Sequence, residues 1–197
     1  MKKRICRLSL AEGKEIYYDR LLKDFPVCEV KPWTKIEQFA KEELYEMFGM
    51  WEGDVLLAYG FVAMDVHKKH MLMDYFAVNE DYRGQGCGQY FLAHLWEMYP
   101  KADGMVFEVE DVAEAENEQE KIVRESRIHF YEKAGLQIYP VHAKVYDAYY
   151  QLMFFAREEK MPETEEMIES YKAVYQMMIG AEKMTKYMEI TTEKYDL

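Results

Sequence analysis

The sequence predicts a chain of the α/β (α+β) class, with strands and helices interleaved and a helical extension at the end. Three observations predict it. Val55–Met64 and Met71–Val78 are nearly continuous apolar runs, as expected of strands covered on both faces, and the turn between them suits an antiparallel hairpin. Downstream, strand-like and helix-like periods alternate as far as Phe155. Beyond Pro162 the period is helical: Met167, Tyr171, Val174, Met178, Ala181, Thr185 and Met188 recur in steps of four and three. That change of character divides the 197 residues into a domain over 1–158 and a helical extension over 159–197.

The elements follow in order. Residues 4–10 alternate loosely and read as a first strand. From Ala11 to Lys23, Ile16, Tyr17, Leu21 and Leu22 fall at helical spacing, and Pro26 breaks the chain. Thr34, with Glu37 three residues on, has the spacing of a capping box. Ile36, Phe39, Ala40, Leu44, Met47 and Phe48 extend that second helix along one face. The hairpin strands come next, then Asn79-Glu-Asp-Tyr-Arg-Gly-Gln-Gly-Cys-Gly88 and a helix over Gln89–Met98 closed by Pro100. Met105–Glu110 reads as a strand, and a charged stretch, Asp111–Lys121, precedes a helix carrying Ile128, Tyr131 and Ala134, with Gly135 at its C-terminal cap. Residues 149–155 make the last strand, and the seam of the extension bends near Gly180.

Composition excludes several classes. With 50% apolar and 31% charged residues the chain is too apolar for disorder. It carries 25 basic and 37 acidic residues, a net charge of −12, and no basic stripe, so a nucleic-acid partner is not expected. The tail from Glu158, with ten acids and five bases, holds −5 of that charge. The longest apolar run stops at Asp65, short of a membrane span, and the charged start has no apolar stretch behind it. Cys6, Cys28 and Cys87 are odd in number and widely spaced, which fits neither a disulfide framework nor a metal site and points to a reducing, cytoplasmic setting. His67 and His70 flank two lysines with no further ligand nearby, so no metal is expected.

The most informative segment is Arg83-Gly-Gln-Gly-Cys-Gly88 between a strand and a helix. Glycines permit positive φ and let backbone N–H groups approach a ligand closely. The helix start adds unpaired donors and the positive end of the dipole, which together favour an anion such as a pyrophosphate. Gln89 stands where the dinucleotide fingerprint needs its third glycine, and the Walker lysine is missing.

Arg83-x-x-Gly86-x-Gly88, after Tyr75-Phe-Ala-Val78, resembles the acetyl-CoA signature of the GCN5-related N-acetyltransferase (GNAT) family. Arg127-Ile-His-Phe-Tyr-Glu-Lys-Ala-Gly-Leu136 is similar to that family's second recurring block, and the order of elements over residues 4–155 is similar too. Many members carry an asparagine early in that last helix; Arg124 stands in its place here. The resemblance implies a mixed, mostly antiparallel central sheet flanked by helices. It implies acetyl-CoA as co-substrate and direct transfer in a ternary complex to a primary amine of a small molecule or peptide. Phe76, Ala77 and Val78 would offer backbone groups to the pantetheine arm, and the amides of Arg83, Gly84, Gln85, Gly86, Cys87 and Gly88 would cradle the pyrophosphate. The Val78 N–H would face the oxyanion, and the Tyr131 hydroxyl would point at the sulfur, where a phenol with an ordinary pKa of about 10 can deliver a proton to the departing thiolate. Cys87 is expected to pack inward.

The amine must also lose a proton. In Met105–Glu110, Val106, Glu108 and Glu110 share one face and Met105, Phe107 and Val109 the other. If that strand borders the acceptor cleft, Glu108 is the candidate base with Glu110 behind it; otherwise the two face solvent near the strand end or pair with Arg124 or Arg127. Asp74, mid-strand, reads as a buried acid satisfied by hydrogen bonds. A non-catalytic acyl-CoA-binding or interaction module is the alternative function. The tail's methionine and tyrosine seam must dock on something, and its spacing favours a homodimer through the C-terminal helix over an intramolecular cover.

Overall fold

The computed structural model describes residues 2–158 and 161–192. One compact unit takes the residues up to Val66 together with Met73–Pro100; the other takes His67–Leu72 and the described residues from Lys101 onward.

In the first unit, β1 (Arg4–Arg7) leads to α1 (Leu10–Ile16), which runs on through a π-helical turn at Tyr17–Leu21 to Asp24. Then come α2 (Trp33–Lys41), β2 (Tyr45–Glu52), β3 (Val55–Ala63), most of β4 (His70–Val78) and α3 (Cys87–Leu95). The strand order is β1-β2-β3-β4. The first expected strand stops at Arg7 because Ser9 caps α1: its hydroxyl accepts from the Glu12 N–H, and the Glu12 carboxylate accepts from the Ser9 N–H at 2.8 Å. Thr34 is not a cap. α2 begins at Trp33 after Pro32, with no side-chain cap.

The second helix is also shorter than its apolar spacing suggests. α2 ends at Lys41, Glu43 takes a positive φ of 59°, and the Leu44 N–H returns to the Phe39 carbonyl. Met47 and Phe48 lie instead in β2, buried and paired with Phe61 and Gly60 of β3. A ladder along all of β2 outweighs a helical period that six residues satisfy equally well. Gly60 has a packing role: a Cβ there would lie 2.9 Å from the Phe91 ring of α3. Phe91 also packs on Phe76 of β4, ring centroids 5.2 Å apart, which fixes α3 on the strand that precedes it.

The second unit holds β5 (Gly104–Glu110), α4 (Glu118–Lys133), β6 (Gln137–Val145), β7 (Ala148–Ala156), α5 (Thr164–Ile179), α6 (Ala181–Tyr187) and β8 (Met188–Thr191). Its strand order is β5-β7-β6-β8. The β1–β2, β2–β3, β5–β7, β6–β7 and β6–β8 pairs are all antiparallel, so the expected class of sheet flanked by helices holds. β6 is a strand that the residue pattern does not announce, because Pro140 interrupts it. The ladder to β7 shifts register across that point, between Ile138 and His142. β8 is a second such strand, since Met188 continues the helical seam of the tail.

The tail departs from the dimer expectation. Gly180, at φ 82°, breaks the seam into α5 and α6. Met167, Tyr171, Val174, Tyr175 and Met178 of α5 are all buried within this one chain, while Ala181 and Thr185 are exposed. Lys69 pairs with Glu166, His70 Nδ1 lies 2.9 Å from Ser170 Oγ, and the Tyr139 hydroxyl donates to the Pro162 carbonyl. The apolar face that motivated a homodimer is therefore covered intramolecularly. Among the described residues no helix is long and apolar enough to cross a membrane.

Candidate active site

The glycine loop is built from the end of β4. The Asn79 N–H donates to the Leu57 carbonyl at 2.9 Å and its side chain donates to that of Leu56, anchoring the chain where it leaves the sheet. A 3-10 turn over Glu80–Tyr82 follows, and Arg83 Nε reaches back to the Val78 carbonyl at 3.2 Å. Gly84 and Gly86 both take left-handed backbone, φ 72° and 75°. A Cβ at either position would meet nothing within 4 Å, so the conformation demands glycine while the space in front stays open. No side chain caps α3, whose first N–H groups have no intrahelical acceptor. Arg83 to Gly86 are exposed, whereas Cys87 is buried, as its inward packing requires. An open cradle of backbone donors at a helix start fits an anionic phosphate group.

Tyr131 lies in the second unit on the inner face of α4, its ring 5.1 Å from that of Phe107 on β5. Burial pushes its phenol up to about 12, partly offset by the Arg127 guanidinium one turn earlier. Arg124, at the position of the family's asparagine, is held locally: it donates to the Asp111 carbonyl and pairs with Glu120 at 2.6 Å.

The carboxylates separate. Glu110 is ion-paired with Arg127. Glu108 is half-buried, and its Oε1 accepts from the hydroxyls of Tyr171 and, at 2.6 Å, Tyr175, both on α5. Because Phe107 and Glu108 are successive residues of a regular strand, Tyr131 and Glu108 lie against opposite faces of β5. Asp74 of β4 is a satisfied acid whose side chain is 4% exposed, accepting from Lys31 Nζ at 2.6 Å and from the Tyr45 hydroxyl.

No local signal marks Tyr171 and Tyr175 as partners of Glu108, since more than sixty residues separate them. Nor does a local signal pair Asp111 with His142, 31 residues on, a buried pair 2.7 Å apart lining a cavity of about 720 Å3 with Gln151, Lys121 and Ile128. The β6 ladder to β7 shifts register just before that histidine. His94 bonds to the Tyr90 carbonyl and stacks on the Tyr90 ring, a local structural role. Among the described residues no group of three or more His, Cys, Asp or Glu could hold a metal ion.

The comparisons agree with this architecture. An acetyltransferase (GNAT) domain model matches residues 37–137, just over half of the chain. Among solved structures, a Bacteroides thetaiotaomicron protein assigned to the GNAT family superposes with a TM-score of 0.66 at 18% identity, covering 90% of this chain and 99% of that one. The ribosomal-protein-S18-alanine N-acetyltransferase of Escherichia coli matches with 0.56 at 18% identity, covering 83% and 98%. The Salmonella typhimurium protein yncA, solved with acetyl-CoA, matches with 0.55 at 15% identity, covering 83% and 99%. At these identities the likeness establishes the fold. No curated protein sequence matches. With the family model spanning both the glycine loop and Tyr131, the chain belongs to the GNAT acetyltransferase family.

Proposed function

We propose that the chain transfers an acetyl group from acetyl-CoA to a primary amine of a small molecule or peptide, by direct transfer in a ternary complex. The observation that carries this reading is the open loop of left-handed glycines before the uncapped start of α3. When bound, acetyl-CoA supplies an activated thioester. The amides of Arg83–Gly88 would hold its pyrophosphate, the backbone of Phe76–Val78 its pantetheine arm, and the Val78 N–H would face the oxygen that gains charge.

The Glu108 carboxylate takes a proton from the acceptor ammonium, the freed lone pair forms the C–N bond, and the C–S bond breaks with its electrons on sulfur. The second amine proton leaves as the amide forms and passes through solvent to the thiolate, which ends as a thiol. Tyr131 acts on the sulfur as a hydrogen-bond donor. With its phenol at about 12, it lies roughly three to four units above an ordinary thiol, so it stabilises a thiolate without surrendering its own proton.

A second reading, a non-catalytic acyl-CoA-binding module, is favoured by one feature: both carboxylates are already engaged, Glu108 by two phenols and Glu110 by Arg127. Thermal melts with and without CoA, and thiol release from acetyl-CoA over a panel of primary amines, separate the readings. Amine-dependent thiol release supports the transferase. A CoA-induced rise in Tm with no release supports the binding module, and no rise at all overturns both.

A further inference from the structure

The C-terminal extension lies outside the matched family domain, yet it reaches the proposed base. Tyr171 and Tyr175 stand one turn apart on α5, 1% and 5% exposed, with ring centroids 5.0 Å apart at 65°. Both hydroxyls converge on the same oxygen, Oε1 of Glu108. Packing alone does not call for this, because phenylalanines would fill the same volume without placing a carboxylate under the helix. Two donors on one oxygen use both of its lone pairs and fix the plane of the carboxyl group. They also favour its ionised form, which a proton acceptor needs. The arm that carries them is itself tied down by the Lys69–Glu166 ion pair, the His70–Ser170 contact and the Tyr139–Pro162 hydrogen bond.

We infer that α5 is part of the acceptor side of the active site, with Tyr171 and Tyr175 as positioning residues that aim the Glu108 carboxylate at an alkylammonium acceptor. This rests on the reading of Glu108 as the base. Other titratable groups around the cluster are Glu110 on β5, which is paired with Arg127 of α4, and Tyr150 on β7, which acts on Tyr171.

The test uses the full chain carrying Y171F, Y175F, both together, or E108Q. Each variant is measured for its melt with and without CoA and for the pH profile of kcat/KM with the best amine of the panel. Expected for the double variant are a fall in kcat/KM of about tenfold or more at neutral pH and an acidic limb moved to higher pH, with the CoA-induced rise in Tm intact. The limb moves up because removing donors disfavours the ionised carboxylate. The single variants, which delete one hydroxyl each, guard against loss of folding in the double. If E108Q lowers turnover but neither the rate nor the limb responds to the tyrosine changes, the inference is overturned and the tyrosines only dock the helix. If E108Q turns over like the unmodified protein, the base assignment fails first and takes the inference with it, while CoA binding stays as proposed.

Discussion

The glycine loop and the cluster around Glu108 build their chemistry from opposite materials. Arg83–Gly86 is exposed, offers backbone donors, and depends on two glycines within three residues. The Glu108 cluster is largely buried, offers side-chain oxygens, and joins a strand to a helix more than sixty residues further along the chain. The first is local: φ values and an uncapped helix start are properties of a short stretch. The second exists only once α5 has docked. The loop should therefore tolerate changes elsewhere and fail by changes within it, whereas the cluster should fail whenever the tail is disturbed.

The largest effect expected from that contrast comes from removing the tail. α5 buries Met167, Tyr171, Val174, Tyr175 and Met178, and each large side chain contributes roughly 1.5–3 kcal/mol. A chain ending at Lys160 is expected to aggregate or to melt more than about 10 °C lower. Light scattering and thermal melts check this. If the shortened chain stays monodisperse with an unchanged Tm, α5 is not a structural part of the second unit.

Within the loop, Gly86→Val is expected to abolish the CoA-induced rise in Tm and to lower kcat/KM by at least about a hundredfold. The left-handed backbone adds about 1–2 kcal/mol of strain for the new residue. Gly86→Asn, which tolerates that conformation, tells strain from blocked approach: it should melt nearly like the unmodified protein. A valine variant that still shifts fully with CoA would sink the loop assignment.

Tyr131→Phe comes next, with kcat lowered about tenfold to a thousandfold and CoA affinity nearly unchanged. Unchanged turnover would return Tyr131 to the core beside Phe107. The smallest effect is on stability at high pH. Tyr131 has its phenol raised to about 12, and Tyr45, Tyr99 and Tyr171 are also raised, in each case chiefly by burial. A raised phenol binds its proton more tightly in the folded state than in the unfolded one. Stability is therefore full below about pH 10 and is lost as pH climbs from there past about 12. Melts between about pH 8 and 12 should show a flat region and then a steep fall, and Tyr131→Phe should soften the fall. Activity should show no loss from ionisation of Tyr131 below about pH 10.

The strands legible in the residue pattern are β3, β4, β5, β7 and the start of β1; β3 and the apolar part of β4 stand out most, because an unbroken apolar run of that length between turn signals suits little else. β2, β6 and β8 are obscured for separate physical reasons. The apolar residues of β2 also fit a helical period, Pro140 masks β6, and Met188–Thr191 continues a seam that only Gly180 and the edge of β6 redirect. Spacing alone places Glu108 and Glu110 on one face of β5, but it does not identify their partners, since an acid facing solvent and one facing two phenols look alike in a sequence.

What the amino-acid order determined by itself was whatever depends on neighbouring residues: the left-handed glycines, the uncapped start of α3, the apolar runs, and the motif that carries Tyr131. The tertiary structure alone decided what depends on distant residues meeting. It turned the tail inward over its own unit, put Tyr171 and Tyr175 on Glu108, gave Glu110 to Arg127, and buried His142 against Asp111. The physical reason is that backbone conformation is set by residues a few positions apart, whereas a buried hydrogen bond exists only after folding has removed both partners from water.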